Sequence, residues 1–212
     1  MKKIAILGIK IDSLNLADTM KNIGSFINSS KTNYITTPNP EIILAAQKNN
    51  ELKKIINTAD LALPDGVGLI FASLFRIKHR ITGTDMMKEI IKKYPQKKYK
   101  FIINEKGLTV KKDLNKLNIN FHETAPEIIF IGLGSPKQEQ WMSENKDKYP
   151  TAKIIMTVGG GIDFLTGRQI RAPLFLQKIG LEWLWRLIKQ PSRLNRIINA
   201  IIIFPFKVIF NF

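Results

Sequence analysis

An α/β domain built on a Rossmann-like, mostly parallel sheet covered by helices is the fold this sequence predicts, with a basic amphipathic helical appendage at its C-terminus. Three observations predict it. Short β-branched apolar runs recur along the chain, helical patterns lie between most of them, and the runs are continuously apolar, as in strands covered on both faces. The 212 residues suffice to bury one full core, and there is no internal repeat or low-complexity linker.

The N-terminal run Ile4 to Ile9 reads as a buried first strand. It is too short for a signal-peptide core, and Lys10 and Asp12 follow with no cleavage site. Asp12 or Ser13 then offers an N-cap for a helix carrying Leu14, Leu16, Ile23 and Ile27. Further strands are expected at Asn33 to Thr37, Ala59 to Leu63, Tyr99 to Ile103, Glu127 to Ile131 and Lys153 to Val158. Helices are expected over about 40–57, 66–75, 83–94 and 136–147. The domain is divided at 1–173 and 174–212, the second part being the appendage.

The formal net charge of +16 invites a phosphate-binding reading, but Ile, Lys and Asn supply 76 of the 212 residues, which is the mark of AT-rich coding. Arginine is more informative. Five of only seven lie between Arg168 and Arg196, so the guanidinium charge is concentrated at the C-terminus. The absence of Cys excludes disulfides, thiolate clusters and Cys nucleophiles. His79 and His122 are the only histidines, so no His-built metal site is expected.

In a parallel sheet, ligands sit beyond the strand C-termini, so the loops after Thr37, Leu63, Ile131 and Val158 are where chemistry is sought. Thr37-Pro38-Asn39-Pro40 reads either as an N-cap with Pro at the first helical position or as a hydroxyl and an amide at the mouth of the crevice. Pro64-Asp65-Gly66 would place one carboxylate beside that turn, shielded by apolar neighbours, an environment suited to a general base. Gly132-Leu-Gly134-Ser-Pro136-Lys137-Gln138-Glu139 opens a helix whose first amides favour an anion such as a diphosphate, though Ser135 with Gln138 or Glu139 also reads as simple capping. Gly159-Gly160-Gly161 is costly in chain entropy, which favours close approach to a ligand. No NTPase phosphate loop or dinucleotide fingerprint is present.

Seven elements in order, Thr37-Pro-Asn39, Pro64-Asp65-Gly66, Arg80-Ile-Thr-Gly83, Gly134-Ser-Pro-Lys-Gln-Glu139-x-Trp141, Val158-Gly-Gly-Gly-Ile-Asp163, Arg171-Ala-Pro173 and Leu181-Glu-Trp183-x-x-Arg186, resemble the WecG/TagA/CpsF glycosyltransferase family. The resemblance implies inverting, metal-independent transfer, with no cofactor, of a hexose, typically an N-acetylmannosamine-type sugar though some relatives use others, from UDP to N-acetylglucosamine on a polyprenyl diphosphate, in cell-surface polysaccharide or teichoic acid synthesis. By that resemblance Asp65 is the catalytic base, Thr37 and Asn39 belong to the active site with Arg80, and Gln138 lies near the sugar and diphosphate. Gly134, Pro136, Lys137, Gly159, Gly160 and Asp163 fall on the substrate-binding loops, and Arg186, Arg193 and Arg196 reach over the diphosphate. Between Tyr99 and Glu127 the chain is shorter than the family pattern, beside the expected donor wall.

The appendage carries Lys178, Glu182, Arg186 and Lys189 in one stripe, with Glu182 and Arg186 spaced for an i,i+4 pair. Its last apolar stretch falls short of the ~20 residues that span a bilayer and is interrupted by Pro205 and Lys207. An interfacial segment on an anionic membrane is expected, giving a cytoplasmic protein peripheral on the inner face of the cell membrane, with a homo-oligomer covering the segment in solution. Two alternatives stand beside the enzyme reading. One is a catalytically lapsed, membrane-bound scaffold of the same fold. The other is a basic nucleic-acid-binding protein, against which the sequence offers no helix-turn-helix, zinc or RNA-sheet signature, so no nucleic-acid partner is expected.

Overall fold

The computed structural model describes residues 3–103, 113–114 and 117–210. Much of the stretch between Tyr99 and Glu127 that is shorter than the family pattern lies outside the described residues.

The N-terminal run is a hairpin rather than one strand. Strands β1 (Lys3–Ile6) and β2 (Ile9–Asp12) pair antiparallel in a sheet of their own. Leu7 and Gly8, both at positive φ, make the tight turn whose twist suits a two-residue hairpin. Ile4, Ile6, Ile9 and Ile11 are all buried. Asp12 is not a cap either: its buried carboxylate accepts from the Ala62 amide at 2.8 Å and pairs with Lys3. Asn15 caps helix α1 (Leu16–Ile27) instead, accepting from the Asp18 amide.

The main sheet is five-stranded and parallel: β3 (Asn33–Thr36), β4 (Leu61–Ala62), β5 (Tyr99–Ile102), β6 (Ile128–Ile131) and β7 (Ile154–Thr157), in the order β4-β3-β7-β6-β5. Every residue of β6 and β7 is buried, which is why these runs are apolar without alternation. The stretch expected as one helix over 40–57 is two, α2 (Pro40–Ala46) and α3 (Asn50–Thr58), because Asn49 caps a fresh start by accepting from the Leu52 amide. Helices α4 (Val67–Ala72), α5 (Gly83–Lys93), α6 (Lys137–Asn145) and α7 (Gly161–Leu165) follow β4, precede β5, and follow β6 and β7 respectively. The chain leaves β3 for one edge of the sheet and returns from the other edge to β7. The β3 and β7 ends therefore stand side by side, at the point in such a sheet where a ligand crevice opens.

The C-terminal segment comprises α8 (Leu174–Lys178), α9 (Glu182–Lys189), α10 (Leu194–Ile198), a π turn at Asn199–Ile203 and α11 (Phe204–Phe210). Among the described residues no helix is long and apolar enough to cross a membrane. The segment is more than an external handle. Phe204 is fully buried in the cluster formed by the hairpin isoleucines, Ile43, Leu52 and Leu69, so it closes the core beneath the crevice. Phe204→Ala is therefore expected to cost about 3–5 kcal/mol, as aromatic truncation in a core does. A denaturant midpoint unchanged from wild type would show that this face carries no stability.

Candidate active site

One cavity of about 1010 Å³ opens over the C-terminal ends of β3, β4, β6 and β7, closed on its far side by the C-terminal segment. Its floor is built by close approach. The Gly83 amide donates to the Asp65 carboxylate at 3.3 Å, and this contact exists because α5 begins against the backbone of Val158 and the side chain of Thr37. A Cβ at position 83 would stand 3.1 Å from Val158 Cα, so any larger residue would have to push the two backbones apart by a few tenths of an ångström. Thr37 ties β3 to β7 by donating to the Thr157 carbonyl at 3.0 Å, and Asn39 accepts from the Ile42 amide at 3.0 Å as the cap of α2. Thr37 Oγ1 and Asn39 Oδ1 thus hold the loop that flanks Asp65.

Asp65 is half-buried and faces the cavity. Burial pushes its carboxyl up to about 6, opposed by the Gly83 amide and the Arg80 and Arg186 charges and reinforced by Glu182. Arg80 donates to the Gln177 carbonyl at 3.1 Å and stands 3.9 Å from Glu182. Glu182 also lies 3.4 Å from Arg171, whose guanidinium pairs with Asp85 at the start of α5. Glu182 is therefore held by Arg80 and Arg171 rather than by the expected i,i+4 partner Arg186, and this carboxylate locks the C-terminal segment onto the helix that carries Gly83.

Gln138 is buried between the β6 and β7 loops. Its Oε1 accepts from the Gly159 amide at 3.1 Å, which holds the glycine loop, and its Nε2 donates to Glu139 at 2.8 Å, which fixes the orientation of the amide. Burial raises the Glu139 carboxyl above its usual range.

Besides Arg80, three guanidinium groups from the C-terminal segment border the cavity, and they differ. Arg196 makes a two-pronged pair with Glu41 at 2.9 and 2.8 Å, fastening α10 to α2. Arg193 is bonded to Gln190 and is pushed down to about 10, first by burial and then by the Arg186 and Arg196 charges. Arg186 stacks over the Phe164 ring at 5.1 Å, lies in the space that a side chain at Gly160 would enter, and keeps a buried Nε with no partner among the described residues. Of the residues expected from sequence, Thr37, Asn39, Asp65, Arg80, Gly134, Gln138, Gly159, Gly160, Arg186, Arg193 and Arg196 line this one cavity. Pro136, Lys137 and Asp163 stand outside its lining. Glu41 and Glu182, which line it, and Arg171, which braces it, are site residues that sequence reasoning did not assign. Their partners lie far away in the chain, and local spacing carries no trace of such pairs.

A parallel sheet whose crevice brings a desolvated carboxylate and several guanidinium groups to the strand ends has the make-up of a transferase site. The chain belongs to the glycosyl transferase WecG/TagA/CpsF family, whose sequence profile matches residues 4–104 and 108–212. It is similar to the N-acetylglucosaminyldiphosphoundecaprenol N-acetyl-beta-D-mannosaminyltransferase of Staphylococcus aureus strain MRSA252, 31% identical over 236 residues that take in 97% of this chain and 92% of the relative. Proteins of the same name from strains MW2 and NCTC 8325 are each 30% identical over the same span. That span exceeds the chain's own length, so these relatives carry residues without a counterpart here.

Proposed function

We propose that this protein is an inverting, metal-independent transferase that moves an N-acetylmannosamine-type sugar from its UDP donor to N-acetylglucosamine on a polyprenyl diphosphate. The observation that carries this reading is the pairing of a cavity-facing carboxyl raised to about 6 with the partnerless guanidinium edge of Arg186. Asp65 takes the proton of the acceptor hydroxyl as that oxygen attacks the anomeric carbon. The bond from that carbon to the UDP oxygen breaks on the opposite face, and UDP leaves with the electron pair. A base with a pKa near 6 is mostly ionised at neutral pH yet basic enough to accept a proton in flight.

In this reading Arg186 and Arg193 meet diphosphate charge, and Arg80 holds the Asp65 side of the crevice through Glu182. The relatives' names supply the donor sugar and acceptor class. The cavity supports a lipid-linked acceptor because its outer wall is apolar: Phe71, Ile197, Ile201, Pro205 and Ile209 line it. The protein acts peripherally, at the inner face of the cell membrane.

The deciding experiment is a panel of UDP-sugars assayed by UDP release, with a short polyprenyl-diphosphate N-acetylglucosamine analogue as acceptor. UDP-N-acetylmannosamine is expected to support turnover and the product's new linkage to be inverted. Silence with every donor would overturn the enzyme reading and leave the lapsed scaffold.

A further inference from the structure

The C-terminal end of α4 displays apolar side chains outward, beyond what the cavity wall needs. Phe71, Leu74 and Phe75 are 58%, 82% and 63% exposed. Leu74 and Phe75 are also consecutive residues in the left-handed region, at φ 51° and 60°, a conformation that disfavours bulky L side chains. Glycine normally ends a helix in this way.

The tip is nevertheless built rather than frayed. Ser73 Oγ donates to the Ile70 carbonyl at 2.8 Å and accepts from the Ile77 amide at 2.9 Å. The Leu74 and Phe75 amides donate to Phe71 and Ile70, and the Arg76 carbonyl accepts from Ser13. Ile77 is fully buried, so the same turn sinks one apolar residue into the core while holding two others outward. Phe71 packs edge-on against Phe75 at 5.3 Å, giving the tip one apolar face. Arg76 and Lys78, both exposed, follow immediately.

The tip also has a defined neighbour. Phe71 and Leu74 line the same cavity as Ile201, Pro205 and Ile209 of the C-terminal segment, whose Ile202, Phe206 and Phe210 are exposed as well. Two separate parts of the chain thus present apolar surface around one cavity mouth. An apolar patch with basic residues at its edge is complementary to an anionic bilayer, where rings and aliphatic chains enter the interface and cations meet headgroups.

We propose that residues 71–79 form a second bilayer-contacting element, in which Leu74 and Phe75 insert at the interface and Arg76 and Lys78 meet anionic headgroups. With the C-terminal segment as the first contact, two anchors fix the tilt of the cavity mouth toward the membrane. The purpose rests on the lipid-linked acceptor reading above, whereas the test needs no turnover.

The test is partitioning of the full chain onto vesicles of phosphatidylcholine containing about a third phosphatidylglycerol. In the double variant L74N/F75N, asparagine tolerates the left-handed turn, so the thermal midpoint should hold or rise while the partition coefficient falls about tenfold or more. Leu74→Gly, which suits the backbone and only deletes the side chain, should fall in the same direction and carries the test if the double variant melts early. The double variant R76Q/K78Q should lose about tenfold on these vesicles and little on pure phosphatidylcholine. Turnover of R76Q/K78Q with a soluble short-chain acceptor should equal that of wild type, since neither side chain lines the cavity. Wild-type partitioning by L74N/F75N or Leu74→Gly overturns the proposal. So does an equal loss with the soluble acceptor, which would make the tip part of the acceptor site, or concentration-dependent self-association without vesicle binding, which would make it a protein interface.

Discussion

Asp65→Asn is expected to lower transfer by about two to four orders of magnitude, the usual loss for a general base, and at the same time to make the protein harder to melt at neutral pH. Both follow from one cause. The carboxyl pKa is raised from 3.8 to about 6, chiefly by burial, so ionised Asp65 is the less favoured form in the fold and the needed form in the reaction. A carboxyl bound more tightly to its proton when folded stabilises the fold increasingly as pH falls from about 6 toward 3.8. At neutral pH its ionisation costs at most about 3 kcal/mol, from 1.36 kcal/mol per pKa unit. The substituted amide would keep an acceptor for the Gly83 N–H and remove the charge. The thermal midpoint of Asp65→Asn should exceed wild type at pH 7.5 and converge with it near pH 4. The wild-type kcat/KM should fall tenfold per pH unit below about 6. A profile flat from pH 7 to pH 5, or a variant that keeps its activity, would remove Asp65 from the chemistry.

The coincidence of inactivity with stability at one residue is what separates a working site from a lapsed one. A fold under no demand for activity has no reason to keep an ionisable group where its charged form is unfavourable. Glu182 sharpens the point, because it too raises the Asp65 carboxyl, and it is fixed there by Arg80 and Arg171. Arg80, Arg171 and Glu182 come from the loop before α5, the stretch after α7 and α9, so the basicity of Asp65 depends on the C-terminal segment being seated.

How far the sequence could show this depends on the range of each interaction. The sheet was legible because parallel strands covered on both faces must be continuously apolar, and Ile128–Ile131 and Ile154–Thr157 could hardly be anything else. The hairpin was hidden in a run too short to show two strands, joined by Leu7-Gly8 rather than by a recognisable Asn-Gly turn. The break between α2 and α3 rests on one cap at Asn49, which propensity over 40–57 averages away. The site loops were legible because topology alone gathers strand ends, which put Thr37, Asp65 and the Gly159 loop together without any knowledge of contacts. What sits across from them was not. Arg80 with Glu182, Glu41 with Arg196 and Phe204 under the hairpin are contacts between distant parts of the chain, and nothing in local periodicity encodes them.

The three cavity arginines of the C-terminal segment, alike in sequence, should differ in effect, and the order is the sharpest test of their role. Arg186 has its Nε buried with no partner among the described residues, which leaves that N–H able to donate to a bound group. Arg193 is crowded by like charge, and an anion between them would relieve both. Arg196 already answers Glu41 and is more exposed. Arg186→Ala should therefore reduce kcat/KM for the diphosphate-linked acceptor by about 10²–10³-fold, the range seen when a positioned donor to developing negative charge is removed. Arg193→Ala should follow, and Arg196→Ala should cost least. Arg186→Lys, which keeps the charge without the planar fork, should recover only part of the loss. None of this should come from unfolding. Losing Arg186 removes its contact over Phe164 but also its repulsion of Arg193, so the melting temperature should move little, and the phosphate-specific nature of the loss should appear as a weaker dependence of KM on salt. Equal effects at all three positions would reduce the cluster to a general positive field, and a silent Arg186→Ala would mean that the buried guanidinium braces Phe164 and Gly160 rather than a diphosphate.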